Sequence, residues 1–380
     1  MNFYMDDPDL IYIIALSMVP GIGSITARKL INSLGSAEEV FHEKKAVLRK
    51  IPGIGEFIAG RITTDSLLNK AEAEIRYIEK NNIKPIFFRE KEYPERLNQC
   101  PDGPIVIYMK GDMDLNTGKF ISIVGTRTPT SYGIKITNRI IEEFRQRNHH
   151  PVIVSGLAYG IDICAHKAAL SNHLKTIAVL GHGMKYLYPV VHSSVSHKIE
   201  KQGALVTDFP SYEKPERNNF IKRNRIIAGL SDITIIIESG IKGGALITAD
   251  LADSYHRDVF AVPGRVGDVY SSGTNYLIKK NVASLAESCE DIEYMMGWGV
   301  KEQCEVIQTE LFSELSAEEQ LLLNLILKEG KMEFDLLCIL SGMPVNRVSE
   351  HLLKLEFNGF IEVAPGNMYT VKKISSSHSV

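Results

Sequence analysis

The sequence predicts an α/β protein with a Rossmann-like, mostly parallel sheet at its core, flanked by an N-terminal helical domain and a C-terminal winged helix. Six short apolar runs alternate with helical patterns from about Phe120 onward, and the most apolar of them are typical of strands covered by helices on both faces. Most of the runs end at a glycine, as turns in open α/β sheets do. The runs are FISIV, PVIVS, TIAVL, ALVTD, DITIIIE and DVFAV, and the glycines are Gly125, Gly156, Gly181, Gly240 and Gly264.

Length and composition indicate a soluble chain of several domains. A chain of 380 residues is long for one core, and 44% apolar and 23% charged residues are ordinary for globular proteins. We predict a helix-hairpin-helix (SAM-like) domain at residues 1–80, the Rossmann-like domain at 81–297, a linker at 298–310, a winged helix at 311–373 and a disordered tail at 374–380. The net charge of −3 restricts any nucleic-acid binding to a local basic patch.

Cysteine usage and the N-terminus predict a cytoplasmic protein. The five cysteines are scattered without a C-x-x-C pair, which argues against zinc binding and disulfides. The apolar run Leu10 to Val19 is too short to span a membrane, and acidic residues precede it where a signal peptide would carry Lys or Arg. We therefore expect neither export nor a membrane anchor.

The flanking segments carry recognisable patterns. VPGIGSITARKL from Val19 and IPGIGEFIAGRI from Ile51 repeat the helix-hairpin-helix pattern, in which glycine permits a tight turn. This module serves either as a scaffold or as a DNA contact. Near the C-terminus a capping box at Ser316 and Glu319 opens a helix, and FIEVAPGNMYTV predicts a hairpin turning at Pro365-Gly366-Asn367.

The third helix of the predicted winged helix, from about Val345 to Phe357, has a mixed charge pattern. It carries both cations and acids, which favours a structural or protein-contact role over reading DNA. These residues are Arg347, His351, Lys354, Glu350 and Glu356.

The run RNNFIKRNRIIAGL, Arg217 to Leu230, predicts an anion site. It places four cations and no acid at the start of a helix, where they add to the positive end of the helix dipole. The arrangement is unfavourable unless an anion occupies the site. Loops at the strand ends supply further cations and backbone N–H groups, and the carboxyl ends of strands form the ligand crevice of such sheets. These loop residues include Arg127, Ser155, Gly156, Lys242, Gly243, Gly244 and Thr248.

Standard catalytic and cofactor motifs are absent from the sequence. It contains no P-loop, and no G-x-G-x-x-G follows the first strand of the sheet. Ser155, Asp162 and His166 are residue types of a catalytic triad, but Asp162 and His166 lie four apart on one predicted helix, which favours a helix-capping acid and a packed histidine. His182, His192 and His197 lack metal-ligand spacing. We expect no metal, no cofactor and no catalytic residue.

Six motifs in order resemble the DprA/Smf family, the bacterial DNA-processing proteins A. They are GTRTPTSYG, SGLAYGIDICAHKAAL, TIAVLGHGMKYLYP, FIKRNRIIAGLSD, GGALITADLA and VFAVPGRVGDVYSSGTNYLI, between about Phe120 and Ala286. The resemblance implies a homodimer whose Rossmann-like domain binds single-stranded DNA. It also implies loading of a RecA-type recombinase onto incoming DNA during natural transformation.

The resemblance carries the family's phosphate-binding positions onto this chain. The arginine of G-[ST]-R falls on Arg127, the basic residue before the next motif on Arg217, and R-N-R on Arg223 to Arg225. Thr126 replaces a commoner serine, Ile221 replaces a proline, and GGALIT lacks the usual two serines. The predicted DNA-binding set is Gly125, Thr126, Arg127, Ser155, Gly156, Arg217, Phe220, Lys222, Arg223, Asn224, Arg225, Lys242, Gly243, Gly244 and Thr248.

Three points stay open on the sequence alone. Phe220 either stacks on a base or packs in the core. The glycine loops also resemble those of lysine-decarboxylase-like phosphoribohydrolases, for which Glu238 is the candidate catalytic carboxylate. A transcription factor built on the winged helix is a third, weaker alternative, because its third helix is not basic.

Overall fold

The computed structural model describes residues 8–62, 65–298, 315–364 and 368–371. Contacts divide the chain into two compact units, Met1–Gly299 and Val300–Val380. The helical segment and the central sheet belong to the same unit. Apart from Trp298, the predicted linker lies outside the described residues, as do the predicted tail and the hairpin turn at residues 365–367.

The N-terminal segment forms two helix-hairpin-helix repeats that are joined by reciprocal hydrogen bonds. Lys29 donates to the carbonyl oxygen of Pro52 in the second hairpin, and Nη1 of Arg61 donates to the carbonyl oxygen of Pro20 in the first, at 3.1 Å. A cation of each repeat therefore bonds the hairpin turn of the other. The helices are α1 Pro8–Ser17, α2 Ser24–Leu34, α3 Ala37–His42, α4 Lys45–Leu48, α5 Glu56–Ile62 and α6 Asp65–Lys80.

The central sheet confirms the predicted fold class. Its order is β1-β2-β6-β5-β4-β3-β7-β8-β9, and the strands from β6 to β9 along this order are parallel. All six predicted strands are present, as β3 to β8. The antiparallel pair β1 and β2 and the short β9 extend the sheet beyond the prediction. The strands are β1 Lys84–Phe87, β2 Val106–Gly111, β3 Phe120–Val124, β4 Val152–Ser155, β5 Thr176–Val179, β6 Ala204–Thr207, β7 Ile233–Ile236, β8 Asp258–Ala261 and β9 Ser284–Leu285.

Helices cover both faces of this sheet, so its inner strands β3 to β7 are buried on two sides. In β3, Phe120 and Val124 pack into one core cluster and Ile121 and Ile123 into another, as the alternation of side chains along a strand requires. The covering helices are α7 Glu95–Asn98, α8 Ser131–Gln146, α9 Ile161–Ser171, α10 Ser193–Gln202, α11 Arg217–Leu230, α12 Gly244–Ser254, α13 Ser272–Lys279 and α14 Cys289–Met296, with a 3₁₀ helix at Val190–His192.

The C-terminal unit is a winged helix with its own core. Ser316 and Glu319 form the predicted capping box reciprocally. The third helix spans the predicted residues, and a short strand, β10, joins the hairpin to give the sheet order β10-β12-β11. The elements are α15 Ala317–Glu329, β10 Lys331–Glu333, α16 Phe334–Ser341, α17 Val345–Phe357, β11 Ile361–Ala364 and β12 Met368–Val371. Within the described residues, no helix combines the length and apolar character that crossing a bilayer requires.

Candidate nucleic-acid interface

A pocket of about 830 Å³ opens where the strand order of the sheet reverses. The chain continues from β3 to β4 on one side and from β7 to β8 on the other, although β3 and β7 are neighbours. Ligands of open α/β sheets bind at such a switch point, outside the carboxyl ends of the strands. The pocket walls come from the loops after β3 and β7, from α11 and from the segment around Val269 and Tyr270.

Most of the predicted binding residues meet in this pocket, although they come from distant parts of the sequence. Those that line it are Gly125, Thr126, Arg127, Arg217, Phe220, Arg223, Asn224, Lys242, Gly243, Gly244 and Thr248. The other four predicted residues, Ser155, Gly156, Lys222 and Arg225, do not line it.

Arg223 lies at the deepest part of the pocket and lacks hydrogen-bond partners. Its side chain is 3% exposed, and neither Nε nor Nη1 has a partner among the described residues. Nη1 is 3.9 Å from the carboxylate of Asp162, which is beyond hydrogen-bond distance. Burial lowers the pKa of Arg223 to about 10, Asp162 opposes this shift and Arg127 adds to it. The guanidinium is thus charged at neutral pH, and its unsatisfied donors favour an anionic ligand.

Ser155 and Gly156 shape the pocket from below. The Ser155 hydroxyl is fully buried and donates to the carbonyl oxygen of Ile123 at 2.7 Å. A Cβ atom at position 156 would overlap Nη1 of Arg223, so only glycine leaves the guanidinium its place. Both residues lie outside the pocket lining, and their contact with a ligand stays a prediction.

Arg225 and Lys222 lie outside the pocket lining for a geometric reason. Two residues along a helix correspond to a rotation of about 200°, so Arg225 lies on the side opposite Arg223. There it pairs with the carboxylate of Asp208 and donates to the carbonyl oxygen of Asp102. Lys222 is exposed on the same helix but outside the pocket lining. In this structure Arg225 is engaged by Asp208 and Asp102, and its role in phosphate binding stays a prediction.

Phe220 both packs on the protein and faces the pocket. A Cβ at Gly181 would lie 2.7 Å from its ring, so this glycine allows the phenylalanine to pack against the loop after β5. The guanidinium carbons of Arg127 and Arg223 lie 5.9 and 6.0 Å from the ring centroid, within cation–π range. The same ring is therefore within reach of both guanidinium groups.

The loop after β7 brings a helix N-terminus to the pocket. Gly243 caps α12 without a side-chain hydrogen bond, and Lys242 is exposed beside it. The first N–H groups of a helix carry partial positive charge and bind anions. Backbone groups can therefore compensate for the two serines that GGALIT lacks, while buried Thr248 adds a hydroxyl.

The side chains considered for catalysis are engaged elsewhere. His166 is fully buried with Nδ1 2.7 Å from the Thr176 hydroxyl, and burial lowers its pKa to about 3. Since Ser155 bonds Ile123, no Ser-His-Asp relay forms. Glu238 accepts hydrogen bonds from the backbone and hydroxyl of Thr130 and does not line the pocket. Among the described residues, no His, Cys, Asp and Glu cluster is suited to a metal ion.

The pocket also contains residues that the sequence reasoning did not assign to it. Among the described residues, Asp162 is the one carboxylate that lines the pocket, and burial raises the pKa of Asp162 above its usual value. Tyr270 accepts a hydrogen bond from the Thr128 hydroxyl at 2.9 Å and so ties two loops together. Tyr270 lies in VFAVPGRVGDVYSSGTNYLI, but reasoning from charge passed over it because it is neutral.

Comparisons with known proteins agree with this architecture. Residues 84–297 match the family model of DNA recombination-mediator protein A, 310–367 that of the DprA winged helix domain, and 13–65 that of the SAM-like helix-hairpin-helix tandem. DNA processing protein DprA of Bacillus subtilis is 39% identical over 56% of this chain and 71% of its own.

Two solved structures are similar as well. The X-ray structure of DprA from Streptococcus pneumoniae aligns with TM-score 0.61 and 31% identity, covering 75% of this chain and 96% of the other. A structure of DNA processing protein A from Helicobacter pylori, described for its single-stranded DNA binding mode, aligns with TM-score 0.51 and 28% identity over 57% and 96%. From the matched domains and the motif residues in the pocket, we conclude that the chain belongs to the DNA recombination-mediator protein A family, DprA/Smf.

Proposed function

We propose that the pocket binds backbone phosphates of single-stranded DNA. The observation that carries this proposal is the buried, charged guanidinium of Arg223, in a pocket that Arg127, Arg217 and Lys242 also line. Its Nε and Nη1 have no hydrogen-bond partner among the described residues, and the carboxylate of Asp162 is 3.9 Å away. The single-stranded DNA binding described for the Helicobacter pylori protein supports it. Phosphate contacts carry no sequence information, so we expect binding that is tolerant of sequence and sensitive to salt.

The depth of Arg223 favours a single strand over a duplex. A flexible strand can bend to place one phosphate against a side chain that is only 3% exposed. Duplex DNA, with a persistence length of about 50 nm, cannot follow such a path without losing base pairs. Phe220 offers a ring on which an unpaired base can stack.

In the cell, this protein would act as a recombination mediator in the cytoplasm. It would protect incoming single strands during natural transformation and load a RecA-type recombinase onto them. A homodimer would join two pockets, so that a strand bound in one meets the second at high effective concentration. The protein would be a binder and not an enzyme, since the carboxylate required for the hydrolase alternative, Glu238, bonds Thr130 outside the pocket.

The proposal is tested by fluorescence anisotropy with labelled single- and double-stranded oligonucleotides over a range of salt concentrations. Arg217→Gln removes a pocket cation, and Lys222→Gln removes an exposed cation of the same helix outside the lining. We expect Arg217→Gln to weaken single-strand binding and to reduce the salt slope by about 0.7, the value for one single-strand phosphate contact. Lys222→Gln should retain the wild-type slope.

Two results would contradict the proposal. One is equal affinity of the wild-type protein for single and double strands, and the other is equal loss in the two variants. The hydrolase alternative has its own measurement, release of free adenine from AMP. We expect no release, and turnover that Glu238→Gln abolishes would establish that alternative instead.

A further inference from the structure

An exposed apolar surface adjoins the pocket on the side of β4 and β5. It consists of Tyr159 in the loop after β4, Tyr188 in the loop after β5, and Val190 and Val191 in the 3₁₀ helix that follows. Their side chains are 46%, 43%, 74% and 70% exposed. We call these four residues the Tyr188 surface. Single exposed apolar residues are ordinary, but a group of them marks a site of interaction.

The Tyr188 surface is continuous with the pocket through aromatic contacts. The ring of Tyr188 lies 5.5 Å from the ring of Phe220, which lines the pocket. At the other end, the ring of Tyr159 lies 5.2 Å from that of His192. His192 in turn joins the two loops, because its Nδ1 lies 2.8 Å from the carbonyl oxygen of Leu157.

The charges of these two segments suit a polyanion. Residues 152–161 and 181–199 contain no aspartate or glutamate, while Lys185 and Lys198 lie in the second segment. A basic protein partner, which would need acidic residues to pair with its cations, would find none in these two segments. A strand of nucleic acid needs only aromatic or apolar contact for its bases and no nearby acid for its phosphates.

We propose that the Tyr188 surface is a second base-binding site, which holds unpaired bases of the strand next to the phosphates in the pocket. The strand would pass from Phe220 over the ring of Tyr188 toward Val190, Val191 and Tyr159. This inference rests on the proposed function, since it needs a strand in the pocket. It adds that the bases as well as the phosphates contribute to affinity, because every base has a face that stacks on an aromatic ring.

The test compares two labelled strands of equal length in anisotropy titrations. One is oligothymidylate of about 20 nucleotides, which is longer than the roughly 4–16 nucleotides that one single-strand-binding OB fold covers. The other is an abasic strand of the same length, with the same number of phosphates. We expect Tyr188→Ala to weaken binding of oligothymidylate by at least about fivefold, the lower limit for loss of one stacked base, and to leave abasic-strand binding unchanged. Tyr188→Phe, which keeps the ring, should match the wild-type protein on both strands.

Two controls separate a local effect from a general one. Tyr294→Ala removes an 85% exposed tyrosine from α14, which does not line the pocket, and should change neither titration. The salt slope of Tyr188→Ala should equal that of the wild-type protein because no charge is removed. Circular dichroism establishes that each variant is folded.

The outcomes distinguish this inference from the proposed function. If the wild-type protein does not bind oligothymidylate, both fail. If it binds and Arg217→Gln weakens binding, but Tyr188→Ala binds oligothymidylate as the wild type does, only the second site is overturned. A further outcome is that Tyr188→Ala loses equal affinity for both strands and changes its self-association in sedimentation velocity. That result would identify the Tyr188 surface as a contact between copies of the chain and would overturn the second base-binding site.

Discussion

Two cation-bearing helices, α11 of the Rossmann-like part and α17 of the winged helix, carry similar residues with different partners. In α17 every cation has an acid: Arg347 and Lys354 pair with Glu318 and Glu350, and His351 lies between Glu318 and Glu319. In α11, Arg217 forms no ion pair with a described residue, and buried Arg223 has unsatisfied donors. The difference shows that the number of cations on a helix does not by itself predict an anion site. What distinguishes Arg223 is that it is buried, with donors that no hydrogen bond satisfies.

The contrast repeats within α11 itself. Arg223 and Arg225 are two residues apart, yet Arg225 is neutralised by Asp208 and lies outside the pocket. Its role is to hold α11 against the segment around Asp102, to whose carbonyl oxygen it also donates. One arginine of the pair thus positions the helix, and the other is available to a ligand.

The largest expected effect comes from removing two cations of the pocket, in comparison with a variant that removes two cations of α17. Arg127→Gln/Arg217→Gln should weaken single-strand binding by about 100-fold or more, because hydrogen bonds from charged groups contribute about 1.5–3 kcal/mol each. Arg347→Gln/Lys354→Gln removes the same charge from α17 and should leave affinity close to that of the wild type. Anisotropy titration at one salt concentration measures the single-strand affinity of both variants. A large loss of affinity in the α17 variant would contradict the contrast between the two helices.

A smaller loss should follow from displacing Arg223 without changing any charge. Gly156→Ala places a methyl group where the guanidinium lies, so we expect single-strand binding to weaken by about tenfold or more. Gly60→Ala in α5 is the control, because a Cβ there meets no atom within 4 Å and the residue does not line the pocket. Arg223→Lys tests the same guanidinium independently, because it keeps the charge and removes the guanidinium. Wild-type affinity in both Gly156→Ala and Arg223→Lys would show that the Arg223 guanidinium does not bind the strand.

The buried histidine near Arg223 predicts how stability depends on pH. Burial lowers the pKa of His166 to about 3, so the folded protein keeps this ring neutral while the unfolded chain takes up a proton near the usual 6.5. The contribution of His166 to the free energy of unfolding is fully present above about pH 6.5. It is lost as pH falls from about 6.5 toward 3, with a slope of about 1.4 kcal/mol per pH unit.

Urea denaturation across this pH range measures the effect. His166→Gln should show a shallower loss of unfolding free energy on acidification than the wild-type protein. His197→Gln, at a mostly exposed histidine, should keep the wild-type slope. Identical slopes in all three proteins would mean that His166 does not determine the acid response.

The smallest expected effect concerns the paired cations of α17. Glu318→Gln removes a carboxylate near both Arg347 and His351 and should destabilise the winged helix by about 0.2–1 kcal/mol, since the acid is 42% exposed and screened by water. Thermal unfolding measures this loss, and single-strand affinity should not change. A change of affinity without loss of stability would give this helix the binding role that its ion pairs argue against.

The sequence by itself determined the fold class and the place of the pocket. Six apolar runs, five of them ending at a glycine, placed six strands correctly, because strands buried on both faces need continuous apolar residues and their turns need small ones. Loops at the carboxyl ends of parallel strands must share one edge of the sheet, which is why eleven of the predicted residues line one pocket. The edge strands β1 and β9 were missed, as was β2, which lies between β1 and β6.

Only the tertiary structure decided which of these residues are available to a ligand. The partners of Arg225, at positions 102 and 208, are far away in sequence, and no local pattern reveals that they neutralise it. Likewise, burial turns Ser155 toward Ile123 and Glu238 toward Thr130, because buried polar groups take the nearest hydrogen-bond partner that the fold supplies. Residue type and spacing predict which groups meet, whereas the packing around each group determines whether its charge or hydrogen bonds remain free.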